Sequence, residues 1–233
     1  MQLLPALKVM APLDWLALAW FFVAWAGYAM FANRRVAIGG SLLGVTNRYR
    51  RQWMLQTTAR ENRVVDGVVV QNLSTSPSFF ASTTILIIGG LFAVLGTQGA
   101  SDLVKEFPFA GTSSAFVFDL KLLLLIGIFV YAFFRFTWSM RQYTFGALLI
   151  ASMPDATVFA RGEANREEYA ERAGRVIGMA AETFNGGLRG CYMSFAALMW
   201  FSSALAFALA TTGIVFLLYQ REFRSDVLAV LRK

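Results

Sequence analysis

Residues 15–32 read WLALAWFFVAWAGYAMFA, a run of 18 residues without a charged side chain. Pro12 lies just before this run, and Arg34 and Arg35 lie just after it. An α-helix needs about 20 apolar residues to cross the roughly 30 Å hydrocarbon core of a bilayer. Because lipid satisfies no backbone hydrogen bond, only helices and closed barrels cross that core. The stretch therefore predicts a membrane-spanning helix.

Three further stretches have the same character. Residues 79–98 read FFASTTILIIGGLFAVLGTQ. Residues 118–138 contain a long apolar run at their centre, and residues 191–219 contain no charge. We expect an all-α integral membrane protein whose four transmembrane helices cover the ranges 15–32, 79–98, 118–138 and 191–219. The apolar run 143–150 is too short to cross, so the third helix should leave the membrane and continue along protein.

Composition supports the membrane class. Hydrophobic residues make up 57% of the chain and charged residues 15%, and the mean hydropathy is +0.55. A soluble domain of this length needs more polar surface. The net charge of +7 lies mostly beside the apolar runs, which favours orientation in the membrane and attraction to anionic lipid headgroups over nucleic acid binding.

The basic residues also predict an orientation. The connections 33–78 and 139–190 contain 13 arginines, and with four spans they lie on one side of the membrane. The positive-inside rule makes that side cytoplasmic, in a cell membrane such as the bacterial inner membrane, and puts the N-terminus outside. Six basic residues would then lie outside, namely Lys8, Lys105, Arg221, Arg224, Arg232 and Lys233. The basic C-terminal tail conflicts mildly with this assignment.

Both connections have amphipathic helical patterns. Over residues 161–184, Glu168–Arg172 and Glu171–Arg175 have the favourable i,i+4 order, and the following Asn185 with two glycines is typical of a helix end. In the first connection apolar residues share a face flanked by arginines, which suits a helix lying at headgroup level. The apolar residues of that face are Leu42, Val45, Tyr49 and Trp53.

Four segments of the chain resemble a known family. They are GVTNRYRRQWMLQTTARENRVVD (44–66), FFASTTILIIGGL (79–91), ETFNGGLRGCYMSFAALMWF (182–201) and REFRS (221–225). In this order they resemble the family described as domain of unknown function 599. The resemblance implies a multi-pass membrane protein of about this size. It implies no activity, because the family is named for the lack of one.

The residue inventory argues against an enzyme. The chain has no histidine, which removes imidazole haem ligation, Ser-His catalysis and histidine proton relays. Its one cysteine, Cys191, opens an apolar run and has the character of a packing residue, and no paired metal-ligand spacing exists. We therefore expect no catalytic residue, no metal and no cofactor.

Two stripes of small residues are candidates for helix interfaces. Small residues at spacing four let helix backbones approach closely within a membrane. The alternative is an ordinary alanine-rich membrane helix, and the partner of an interface could be another subunit or a second copy. The stripes are Gly89, Ala93 and Gly96 on the second span, and Ser202, Ala206 and Ala210 on the fourth.

A second set of candidates should meet lipid headgroups or a partner. Arg189 lies two residues before an uncharged run, where it needs an anionic or carbonyl partner, and we expect it to face the segment 60–66. Lipid phosphate, Glu61, Asp66 and Glu182 all stay open as partners. Plain interfacial anchoring is the alternative for the whole set. Its members are Arg48, Arg50, Arg51, Trp53, Asn185 and Arg189.

Three functions remain open at this point. The first is a non-enzymatic accessory subunit of a membrane complex or a homo-oligomeric scaffold. The second is an oligomeric channel whose pore uses the hydroxyls of the fourth span and whose basic cytoplasmic vestibules favour anions. The third is a lipid-acting enzyme. No Asp or Glu lies in the middle of a predicted span, which disfavours an ion-coupled carrier.

Overall fold

The computed structural model describes residues 10–97 and 114–232, and these ranges are helical with short connections. Lys8, Gln98, Lys105 and Lys233 lie outside the described residues. A short 3-10 turn, Met199–Phe201, follows the sixth helix. The helices are α1 Pro12–Ala37, α2 Leu42–Thr57, α3 Val64–Leu95, α4 Ala115–Ala151, α5 Ala156–Ala160, α6 Arg166–Leu198, α7 Ala204–Phe223 and α8 Asp226–Leu231.

Short polar side chains set several helix starts. The side chain of Ser41 accepts the backbone N–H of Gly44 at α2, and that of Asn165 accepts the N–H of Glu168 at α6. Ser203 caps α7 in the same way. Each of these contacts satisfies one of the backbone donors that a helix start leaves free.

The predicted all-α membrane class is confirmed. Four helical stretches are long and apolar enough to cross a membrane, namely Pro12–Val36, Val64–Leu95, Ala115–Ala151 and Ala204–Leu231. α4 has 37 residues and continues unbroken to Ala151, as expected for a helix that leaves the bilayer and packs on protein. α3 likewise starts well before residue 79 and has 32 residues.

The predicted fourth span, residues 191–219, is not one helix. α6 continues to Leu198, the chain then turns, and α7 starts after Ser203. Trp200 stacks on Phe207 with ring centroids 5.2 Å apart, and at the other end Arg221 donates to the Tyr192 hydroxyl. The two helices are therefore antiparallel. The hydropathy of the sequence did not reveal the turn between α6 and α7, because the residues of that turn carry no charge.

The contacts of α7 place the C-terminus at the same end of the molecule as the two connections. α7 runs parallel to α1, since Phe21 contacts Phe207 at 5.1 Å and Phe31 contacts Phe223 at 5.3 Å. Beyond α7, Arg232 donates to the carbonyl oxygen of Gly40 at 2.8 Å. The assignment of the C-terminal arginines to the opposite side is therefore wrong for this fold, and their mild conflict with the positive-inside rule disappears.

α6 traverses the helix bundle although it is less apolar than the four spans. Its Ala180 carbonyl accepts from Ser139 at 2.8 Å, and Lys121 lies over the Trp200 ring at 5.6 Å. The two α4 residues in these contacts, Lys121 and Ser139, are 18 residues apart, which is about 27 Å along a helix axis. A helix that packs mostly against other helices needs little apolar surface of its own, which explains why hydropathy did not show α6 as one continuous helix.

The glycines of α6 serve packing instead of ending a helix. The expected helix end at Asn185 is wrong, because α6 runs through it without interruption. A Cβ atom at Gly187 would lie 2.5 Å from the Phe136 ring, and one at Gly190 would lie 3.2 Å from Tyr131. The glycines thus allow α4 and α6 to approach closely.

The basic end of the molecule is a second packed bundle. α2, the start of α3, the end of α4 and the start of α6 enclose an apolar core. α2 runs antiparallel along α6, since Arg51 pairs with Glu171 and Asn47 bonds Glu182. Protein covers Val45 and Met54 on the apolar side of α2, whereas Tyr49 is half exposed. The position of α2 at the level of the lipid headgroups stays a prediction. The core residues are Met54, Val70, Tyr143, Ile150, Ala170, Ala173, Ile177 and Ala180.

Candidate functional site

The three arginines of α2 point in different directions. The Arg50 guanidinium donates to Thr46 Oγ1 at 3.0 Å and to Asn47 Oδ1 at 2.8 Å. Burial lowers the pKa of Arg50, and the nearby Tyr143 and Glu182 oppose that shift. Arg51 pairs across the helices with Glu171 at 3.3 Å. Arg48 is exposed and has no hydrogen bond or ion pair within residues 10–97 and 114–232.

Trp53 contributes to a buried carboxylate site, and its contact with lipid headgroups stays a prediction. Its Nε1 donates to Asp66 Oδ1 at 2.6 Å, and Thr57 donates to the same oxygen at 3.1 Å. Arg60 Nη1 lies 2.5 Å from it. Asp66 is 1% exposed, and its Oδ2 has no partner in the described part of the chain. The group ties α2 to the start of α3.

Arg189 is buried against α1 and not against the segment 60–66. Its Nη1 lies 3.3 Å from Asn33 Oδ1, and its guanidinium lies over the Tyr28 ring at 5.4 Å. Asp66 is occupied by the α2 donors, so it is not the partner. Asn185 donates to the carbonyl oxygen of Ala181 within its own helix at 3.1 Å. Arg189 therefore joins α6 to α1 at the basic end.

Arg135 occupies a position that sequence reasoning did not identify. Its guanidinium lies where a side chain on Gly186 would be, and its Nε is buried without an acceptor among the described residues. The signal was available as the glycine pair of α6, which was interpreted as a helix end. Gly186 has no side chain, and this leaves the space beside α6 that the Arg135 guanidinium fills.

The opposite end of the bundle carries a second charged group. Trp200 Nε1 donates to Asp14 Oδ1 at 2.7 Å, and Lys121 is 5% exposed over the Trp200 and Phe201 rings. A lysine near the end of an apolar helix usually extends its ammonium toward water, yet the Lys121 side chain points into the protein. This group holds the starts of α1 and α4 to the end of α6.

The two small-residue stripes differ in their surroundings. Gly89 and Ala93 of α3 and Gly96 just after it are exposed, and a Cβ atom at Gly89 would meet nothing within 4 Å. On the other stripe Ser202 lies in the turn before α7, and Ala210 packs on the chain's own core. Ala206 is half-buried. The α3 stripe is thus open, whereas the second stripe is largely internal.

Five hydroxyls of the apolar helices bond to the backbone of their own helix. Each donates to a backbone carbonyl three or four residues earlier, at 2.7–3.0 Å. Such bonds satisfy the hydroxyl locally and leave it no need of water. Between α1, α4, α6 and α7 the interior is filled by Phe21, Met193, Trp200 and Phe207. The hydroxyls are those of Thr83, Thr84, Ser194, Thr211 and Thr212.

A cleft opens where α1 ends and α2 begins to pack on α6. It consists of two adjoining cavities of about 370 Å³ and 510 Å³, which share Asn47, Arg51 and Glu182. We call it the membrane-edge cleft. The first cavity is also lined by Val36, Ile38, Gly39, Gly44 and Arg48, and the second by Gly174, Arg175, Gly178 and Met179.

Comparisons with known proteins give a family and nothing finer. Among the described residues no group of three or more Cys, Asp or Glu side chains could hold a metal ion. No curated protein and no solved structure matches the chain. The family described as "Protein of unknown function, DUF599" matches residues 16–227. The chain, with its four apolar helices and its packed basic end, belongs to the DUF599 family.

Proposed function

We propose that this protein is a non-enzymatic membrane scaffold, acting as an accessory subunit of a membrane complex or as a homo-oligomer. The open face of α3 is the observation that carries the proposal. Over residues 85–95 every side chain is half-buried or exposed, and Gly89 has space above it. Small residues on an open membrane helix permit close approach of another helix.

The interior of the chain supports the same proposal. Buried polar groups such as Asp66 and Arg189 are engaged mainly with neighbouring helices, and five hydroxyls of the apolar helices bond to their own backbones. Few reactive groups thus remain for chemistry or for a water-filled path through one copy. A function exerted through outer surfaces fits this arrangement best.

We further propose that the basic end faces the cytoplasm and that the N-terminus lies outside. Arg221, Arg224 and Arg232 join the arginines of the two connections at that end. Most of the basic residues of the chain then lie at one end of the molecule, and the positive-inside rule assigns that end to the cytoplasm.

The test is the state of the purified protein in mild detergent and in lipid nanodiscs, measured by native mass spectrometry. We expect more than one copy, or one copy with a foreign subunit. Gly89→Phe should reduce that association, because it fills the open stripe. Gly213→Phe is the matched control, since Gly213 is also an open membrane-helix glycine but lies on α7.

A strictly monomeric protein that captures no partner would contradict the scaffold. Equal effects of the two phenylalanine variants would remove α3 as the contact face. A closed ring enclosing a continuous path would favour the channel, which would then have to form between copies.

A further inference from the structure

The membrane-edge cleft lies at the level expected for lipid headgroups. Its upper wall is formed by Val36, Ile38 and Gly39, directly at the end of the apolar span Pro12–Val36. The Ile38 side chain is 71% exposed beside the cleft. Since the hydrocarbon core ends where a span ends, the next few residues meet headgroups. The cleft therefore has an apolar rim toward lipid and an arginine-lined floor away from it.

The charges in the cleft leave two arginines without an internal partner. Glu182 accepts from Asn47 at 2.8 Å and lies close enough to influence Arg50, while Glu171 pairs with Arg51. Arg48 and Arg175 make no hydrogen bond or ion pair within the part of the chain that the structure describes.

Arg51 is also available for an incoming anion. Both partners of its pair with Glu171 are about half exposed, at 49% and 52%. Exposed pairs of this kind contribute little to stability, so a better acceptor can replace the carboxylate. A planar guanidinium matches the oxygens of a phosphate group, with two parallel N–H donors.

We propose that the membrane-edge cleft binds the phosphate group of an anionic phospholipid headgroup, with Arg48 and Arg51 as its ligands. Arg175 lines the adjoining cavity and adds positive potential along it. The apolar rim at Ile38 selects a phosphate that is attached to acyl chains over one free in solution. The proposal is independent of whether the chain is a scaffold.

The experiment uses the full-length protein in nanodiscs of phosphatidylcholine with increasing phosphatidylglycerol. Bound lipid is counted by native mass spectrometry after release of the protein. We expect phosphatidylglycerol to be retained by the wild-type protein, and Arg48→Gln to weaken retention roughly fivefold. Arg48→Gln and Arg51→Gln together should weaken it further. Glu182→Gln should strengthen retention, because it keeps an acceptor for Asn47 and removes the negative charge.

Arg141→Gln is the matched control. Arg141 is an exposed arginine of α4 outside the cleft, and it makes no ion pair within the described residues. An equal loss of phosphatidylglycerol retention in Arg141→Gln and Arg48→Gln would show that general surface charge causes the effect. That result would refute lipid binding in the cleft. Thermal melting of each variant in detergent separates a lost site from a misfolded protein.

A second arm distinguishes the source of the phosphate. Inorganic phosphate is added to delipidated protein in detergent, with thermal melting as the readout. We expect inorganic phosphate to raise the melting temperature of the wild-type protein little and phosphatidylglycerol to raise it clearly. Each increase is compared with the increase that the same addition gives in Arg48→Gln. Full stabilisation by inorganic phosphate alone would overturn the lipid assignment.

Discussion

Asp66 is a buried carboxylate whose neighbours all donate to one of its two oxygens. Trp53, Thr57 and Arg60 converge on Oδ1, and Oδ2 has no partner among the described residues. A buried polar atom without a partner costs free energy, so the three donors must outweigh it. The residue therefore links α2 to α3 and has no evident part in ligand binding.

We expect Asp66→Asn to lower the free energy of unfolding by about 1–3 kcal/mol. The change removes the charge that attracts Arg60, and it places an amide NH2 group, with two donors, where Oδ2 already lacks a partner. Denaturant unfolding in detergent measures the loss. Asp155→Asn is the control, because Asp155 is exposed and its side chain caps nothing. Similar losses in both variants would refute the special role of Asp66.

Arg189 gives a second prediction for a single residue. Its guanidinium lies over Tyr28 and bonds Asn33, a planar arrangement that a lysine ammonium cannot reproduce. Arg189→Lys should therefore destabilise the protein by about 1 kcal/mol, seen as a lower melting temperature. Arg161→Lys should melt like the wild type, because its pair with Glu163 is exposed. Identical melting of the two variants would make Arg189 an ordinary anchor.

α6 combines two kinds of helix in one element. Its first half is an amphipathic helix of the basic end, and its second half packs among the apolar helices. The i,i+4 pair Glu168–Arg172 forms as predicted at 2.8 Å, whereas Glu171 pairs with Arg51 and not with Arg175. Packing against α2 thus redirects a side chain that the helix pattern assigned within α6.

The glycines of α6 and α4 should respond to alanine with opposite signs. Gly187→Ala places a methyl group against Phe136, which is fully buried and cannot move aside, so we expect a loss of about 1–3 kcal/mol. Gly127 faces open space, and Gly127→Ala should be neutral or gain up to about 1 kcal/mol from helix propensity. Thermal unfolding in one detergent compares them. A neutral Gly187→Ala would contradict the close approach of α4 and α6.

At the scale of the whole molecule, the direction of α7 decides the topology. α7 is parallel to α1, so the C-terminus and both connections share one end of the bundle. A four-span chain without the α6 passage would put the C-terminus at the opposite end. The two topologies therefore predict different sides for a C-terminal reporter.

We expect a fluorescent protein fused after Lys233 to lie on the cytoplasmic side, together with cysteines placed at Gln56 and Glu163. Gln56 and Glu163 are exposed, whereas the neighbouring Thr57 is buried and would resist labelling on either side. Labelling of intact cells or spheroplasts from outside should fail at both cysteines. A reporter on the opposite side from Gln56 would refute the antiparallel hairpin of α6 and α7.

The absence of histidine gives a prediction for the purified protein. With one isolated thiol, Cys191, the chain offers few of the ligands that zinc or haem iron prefer. Elemental analysis should therefore find no zinc or iron in stoichiometric amount. A stoichiometric metal would reopen the question of an enzyme.

The sequence by itself determined the membrane class, the apolar stretches of α1, α3, α4 and α7, and the continuation of α4 past residue 138. These are local properties, because a helix that faces lipid must be apolar along its own length. The family resemblance was equally readable, since it rests on ordered segments of the chain.

Only the tertiary structure decided the course of α6, the partners of Arg189 and Glu171, and the side on which the chain ends. Hydropathy reports exposure to lipid, and a helix packed against α1, α4 and α7 can carry Gly186, Gly187 and a buried arginine without appearing apolar. The role of a small or charged residue cannot be assigned until it is known whether the residue lies toward lipid, water or another helix. This depends on which helix packs against it, and such packing is set by contacts between distant parts of the chain.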